Sequence, residues 1–131
     1  MHQSHTISII DDDAFARDGI KELVESLGYE TLTFVSAEHF LESGVVARTT
    51  CLITDIQMPG LSGLELQEKL QVQGYRTSIV LITAYPNEEQ RNRALRAGAI
   101  GFLSKPFEER SLVECLNHAV DRANEPPAAS S

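Results

Sequence analysis

The chain has 131 residues, 42% of them hydrophobic, a length that suits one domain with a real core and is short for two. A formal net charge of -8 excludes non-specific binding to nucleic acid or to an anionic membrane, both of which need a basic face. No apolar run approaches the length of a membrane span, and Met1-His2-Gln3-Ser4-His5 lacks the charged and then apolar regions of a signal peptide, so a reduced, cytoplasmic setting is expected.

Short apolar runs alternate with segments of helical periodicity, which predicts an α/β fold with a parallel sheet covered by helices on both faces. A strand over Thr6 to Ile10 comes first, followed by Asp11-Asp12-Asp13, of which Asp13 reads as a helix cap. Ile20, Leu23, Val24 and Leu27 then share one helical face, stopped by Gly28. A second strand spans Glu30 to Phe34, and Ser36 caps a short helix carrying Phe40 and Leu41. The third strand, Cys51 to Thr54, leads to a helix with Leu64, Leu66 and Leu70 that ends near Gly74. A fourth strand over Ile79 to Thr83 precedes a helix from about Asn87 to Ala97, stopped by Gly98. The fifth strand, Gly101 to Leu103, precedes a helix carrying Leu112, Leu116, Ala119 and Val120. Residues 1–123 are read as the domain and 124–131, with their proline pair, as a linker or disordered tail. Cys51 and Cys115 lie in apolar surroundings and read as small buried hydrophobes.

In an open parallel sheet the groups that do chemistry collect beyond the carboxyl ends of the strands. Here strand one ends in Asp11-Asp12-Asp13, strand three in Asp55, strand four in Thr83, and strand five is followed by Ser104-Lys105-Pro106. Asp11, Asp12 and Asp55 brought together would repel one another, and a hard divalent cation with oxygen ligands is the simplest remedy. Mg2+ fits best because it takes few carboxylates and keeps positions open for phosphate oxygens. A metal and a lysine flanking one carboxylate suffice for phosphoryl transfer, which makes Lys105 the cation and Asp55 the nucleophile. Taken singly these residues are ordinary. Asp11 and Asp12 read equally as caps or metal ligands, Lys105 as a solvated charge and Thr83 as a strand residue; only the four strand ends together point to a site.

The segments Ile9-Ile10-Asp11-Asp12-Asp13, Thr54-Asp55-Ile56-Gln57-Met58-Pro59-Gly60, Ile82-Thr83-Ala84 and Lys105-Pro106-Phe107 resemble, in order and spacing, those of two-component response regulator receiver domains. The resemblance runs over roughly residues 6 to 122, with Ser62-Gly63 and Ala97-Gly98-Ala99 as further similar signatures, and is closest to the FixJ-type branch. It implies a doubly wound, flavodoxin-like sheet in the order 2-1-3-4-5 with five helices. It further implies that Asp55 accepts a phosphoryl group from a sensor histidine kinase or a small acyl phosphate. Asp12 would bind Mg2+ directly, Asp11 directly or through water, and Asp55 and the backbone carbonyl of Gln57 would complete the protein ligands. Thr83 and Lys105 would contact the phosphoryl group, the Lys105-Pro106 bond would be cis, and Phe102 would be the aromatic switch residue. By periodicity alone Phe102 is equally a core residue. The output surface would be the fourth helix, fifth strand and fifth helix. By family analogy, phosphorylation would drive homodimerisation, and a DNA-binding helix-turn-helix domain absent from this chain would carry the transcriptional output.

Two other classes compete. A Mg2+-dependent phosphatase or phosphotransferase working through an aspartyl phosphate would need a general acid, yet Gln57 stands two residues after Asp55 where a second carboxylate would be required. At most slow self-catalysed phosphorylation and dephosphorylation is therefore expected. A pure interaction module that is never phosphorylated would not need Asp11, Asp12, Asp55, Thr83 and Lys105 all in place. A stand-alone phosphorelay protein has the same pattern.

Overall fold

A computed structural model describes residues 5–125. The strands are β1 (Thr6–Ile10), β2 (Glu30–Phe34), β3 (Thr49–Asp55), β4 (Ser78–Thr83) and β5 (Gly101–Ser104). Between and after them lie α1 (Ala14–Ser26), α2 (Ala37–Glu42), α3 (Gly63–Val72), α4 (Glu88–Arg96) and α5 (Glu109–Asn124), with a 3-10 turn at Val46–Arg48. All strand pairings are parallel, and the order is β2-β1-β3-β4-β5. The fold is therefore the flavodoxin-like, doubly wound sheet that the sequence predicts.

The two-residue period of the strands divides the core into two layers. Leu52, Ile79 and Leu81 face Phe40 of α2 and Leu66 and Leu70 of α3, whereas Ile53, Val80 and Ile82 face Ile20 and Val24 of α1 and Leu112 and Leu116 of α5. Each aliphatic side chain so buried stabilises the fold by about 1.5–3 kcal/mol relative to exposure. Phe34 and Phe40 add an edge-to-face pair with centroids 5.3 Å apart.

Helix ends follow from local chemistry. Asp13 accepts the amide of Phe15, Ser36 that of His39 and Asn87 that of Gln90, while Ser62 and Glu65 form a reciprocal capping box on α3. Gly28, Gly74 and Gly98 follow their helices at φ of +93°, +85° and +95°, a region an L side chain rarely adopts.

The structure departs from the sequence reading mainly at element ends. β3 starts at Thr49, two residues before the apolar run, because Thr49 is a buried polar residue whose hydroxyl is 2.8 Å from that of Ser8 and donates to Val45 O at 2.9 Å. Leu27 sits at the C-cap of α1 and is 40% exposed, so only Ile20, Val24 and, in part, Leu23 form that helix's apolar face. α5 reaches Asn124, the first residue of the segment read as tail; residues 126–131 lie outside the described residues. Cys51 is fully buried, as read, whereas Cys115 is only half-buried; both are free thiols, with Cys51 pushed up from its ordinary range by burial and then by Cys115.

Candidate functional site

Because all strands run the same way, Asp11, Asp55, Thr83 and Lys105 emerge at one rim of the sheet. Asp11 is buried, Asp12 exposed and Asp55 buried, and one carboxylate oxygen from each lies within 4.8 Å of the others. The Lys105 ammonium bridges two of them, donating to Asp11 Oδ2 at 2.8 Å and to Asp55 Oδ2 at 3.0 Å. The remaining oxygens are held by backbone amides: Asp13 N–H donates to Asp11 Oδ1 at 2.9 Å, and Gln57 N–H to Asp55 Oδ1 at 3.2 Å. The Lys105-Pro106 peptide bond is cis, and the Lys105 backbone amide donates to Thr83 O at 2.8 Å, tying the end of β5 to β4.

Electrostatics at this rim are balanced against burial. Desolvation raises the Asp55 carboxyl above its ordinary range, outweighing the Lys105 bond and charge that lower it, and Asp11 raises it further. Burial pushes the Lys105 ammonium down, but the two carboxylates outweigh it and leave the group raised and charged at neutral pH. A carboxyl raised in the folded state contributes its stability below the unfolded pKa and loses it as pH rises through the folded value. Asp55→Asn, which mimics the neutral form, is therefore expected to stabilise the metal-free protein by about 1 kcal/mol at neutral pH. The gain should vanish below pH 3.8, the ordinary value for this carboxyl. Thermal melts of both proteins across that range check it; an unchanged gap between acid and neutral pH would count against it.

Three hard-oxygen donors in one cluster fit Mg2+ better than a soft or borderline metal, since no imidazole or thiolate is among them. Exposed Asp12 opens the cluster to solvent, and the buried pair behind it is already held in place.

Thr83 is fully buried, and its hydroxyl donates to Gln57 Oε1 at 2.7 Å and accepts from Tyr85 N–H at 3.0 Å. The bond from Thr83 to the Gln57 side chain is a contact that the sequence reading did not predict. Phe102 is partly buried against the α2-α3-α4 layer and borders a cleft of about 370 Å³ with Pro86, Asn87, Glu88, Arg91 and Ser104. That places the ring between core and surface.

Two further side chains that hold the site together were not found from the sequence. Arg17 donates to Asp11 O at 2.8 Å, tying α1 to the end of β1. Glu38 of α2 accepts the Leu61 amide at 2.9 Å, and this bond is the main cause holding its carboxyl below the usual range. Glu38 thus clamps the loop that follows Asp55. Neither residue stands at a strand end, so the rule that found the rest carries no signal for them.

Comparison with known proteins bears on the family and the fold. Residues 7–117 match the response regulator receiver domain family. The transcriptional regulatory protein FixJ of Azorhizobium caulinodans is 33% identical over 125 residues, covering 95% of this chain and 59% of that protein. Among solved structures, the response regulator StyR superposes with a TM-score of 0.81 at 40% identity, covering 92% of this chain and 61% of that one. FixJ-N superposes with a TM-score of 0.80 at 29% identity, covering 92% and 96%. The chain thus spans about half to three-fifths of the length of the curated relatives it matches. A match over most of the chain, on a fold that gathers acidic and basic groups at one sheet rim, places this protein in the response regulator receiver family of two-component systems, whose members are phosphoacceptor switches rather than turnover enzymes.

Proposed function

We propose that Asp55 is the phosphoacceptor and that its modification, supported by Mg2+, switches the α4-β5-α5 face. The observation that carries this reading is the Lys105 ammonium poised between Asp11 and Asp55 at 2.8 and 3.0 Å, beside exposed Asp12. Asp11, Asp12, Asp55 and the backbone carbonyl of Gln57 would hold the ion, which when bound supplies positive charge beside the phosphoryl oxygens. An Asp55 oxygen forms the bond to phosphorus as the bond to the donor breaks, releasing a kinase histidine or the carboxylate of a small acyl phosphate. Lys105 then pairs with a phosphoryl oxygen, and Thr83 donates its hydroxyl proton to another. The added charge of about -1.5 to -2 favours the arrangement in which both reach it, and Phe102 turns inward as Thr83 moves. Self-catalysed gain and loss of the group would be slow, because the described site offers no general acid beside the acceptor.

The partners proposed are a sensor histidine kinase, a second copy of the domain after phosphorylation, and a DNA-binding output domain. The last rests on the FixJ relative's name and on its length beyond the matched part.

Intact mass after incubation with Mg2+ and acetyl phosphate tests the reading. A single phosphoryl adduct that requires Mg2+ and disappears in Asp55→Asn is expected. A folded, Mg2+-replete protein that forms no adduct would overturn the phosphoacceptor reading in favour of an unphosphorylated interaction module.

A further inference from the structure

A threonine hydroxyl has one proton to donate. That of Thr83 is given to Gln57 Oε1 at 2.7 Å, and one of the oxygen's two acceptor sites is taken by Tyr85 N–H at 3.0 Å. The bond joins neighbouring strand ends: β3 and β4 pair at Asp55 and Ile82, Thr83 follows Ile82, and Gln57 lies two residues past Asp55. The proton required at a phosphoryl oxygen is therefore already committed elsewhere. Gln57 is in turn anchored on the acceptor, since its own amide donates to Asp55 Oδ1 at 3.2 Å.

We propose that the Gln57 side chain is a latch that holds Thr83 in the unmodified arrangement and so sets how often the unphosphorylated domain visits the switched one. This rests on Asp55 being the phosphoacceptor and adds a positioning residue to it. Release trades one neutral hydrogen bond inside the protein for one to water at exposed Gln57, so the bond biases the equilibrium by about threefold to tenfold. Thr83, fully buried, has no such exchange open to it until an oxygen arrives at Asp55.

Gln57→Met keeps the chain length and backbone carbonyl and removes the acceptor. In the ligand-free protein the variant is expected to shift the amide resonances of Thr83 and Tyr85. With Mg2+ and beryllofluoride, an acyl phosphate mimic, titration followed by the same resonances should show about threefold to tenfold tighter binding than wild type. The gain should disappear when Thr83→Val is also present and persist with Thr83→Ser, which retains the hydroxyl. Wild type and Gln57→Met binding equally well, or an equal gain in the Thr83→Val background, would overturn the latch alone. A wild-type protein that binds no beryllofluoride would instead overturn the phosphoacceptor reading on which the latch depends.

Discussion

Lys105→Met is expected to lower the stability of the metal-free protein at neutral pH by about 2–3 kcal/mol, read as a fall in the urea midpoint at unchanged slope. The ammonium is the shared cation of Asp11 and Asp55, whose side chains are only 1% and 10% exposed. Without it two carboxylates face each other in a poorly solvated pocket with no counter-charge. The figure is set below the usual cost of breaking a fully buried pair because the Lys105 side chain is 22% exposed and water can reach the vacated space. Lys105 is raised above its ordinary value of 10.5, so its contribution is fully present at neutral pH and is lost only as pH rises through the higher folded value. The cost in the variant should shrink as Asp55 protonates in acid, and Asp55→Asn added to Lys105→Met should recover most of it. Saturating Mg2+ should recover it too, since binding to the folded state alone stabilises that state by mass action. A variant whose urea midpoint equals that of wild type at neutral pH would show that the bridge contributes nothing to the fold.

The rim that holds this bridge was legible in the sequence for a simple reason. Strands buried on both faces are written as apolar runs, and the polar residue ending each run marks the rim without any knowledge of side-chain packing. Asp55 and Thr83 were found that way on β3 and β4, Lys105 lies just past the end of β5, and the five strands were placed to within two residues. The polar start of β3 was missed because Thr49 is satisfied by Ser8, 41 positions away, a partner that no local pattern reveals. The same limit hid Glu38 on the Leu61 amide, 23 positions apart, and Gln57 on Thr83, 26 apart. Such contacts depend on how α2 packs and how β3 and β4 register, which sequence spacing does not encode.

Gly63 shows the same dependence. Its place in a Ser-Gly pair resembles a family signature, but the physical reason for glycine is a contact with the chain just before it. A Cβ there would stand 2.4 Å from the Asp55 carbonyl oxygen and 3.1 Å from both Ile56 Cα and Leu81 Cδ2. The Gly63 amide also donates to Ile56 O at 3.0 Å, closing the loop that leaves Asp55 and re-enters at α3. Two of the three colliding atoms are backbone, so no side-chain rotation relieves the clash. Gly63→Ala is expected to cost about 3 kcal/mol, at the upper end for overpacking. Relief must come from moving the start of α3 and the loop with it, so the yield of Asp55 adduct under fixed conditions should fall alongside stability. Gly19→Ala supplies the contrast: it lies within α1 with nothing within 4 Å of an added Cβ, and should stabilise by roughly 0.5–1 kcal/mol. Urea unfolding of the two variants decides the matter. Opposite signs would establish that Gly63 is required by close backbone approach at Asp55, and a Gly63→Ala protein as stable as wild type would show that the loop has room to yield.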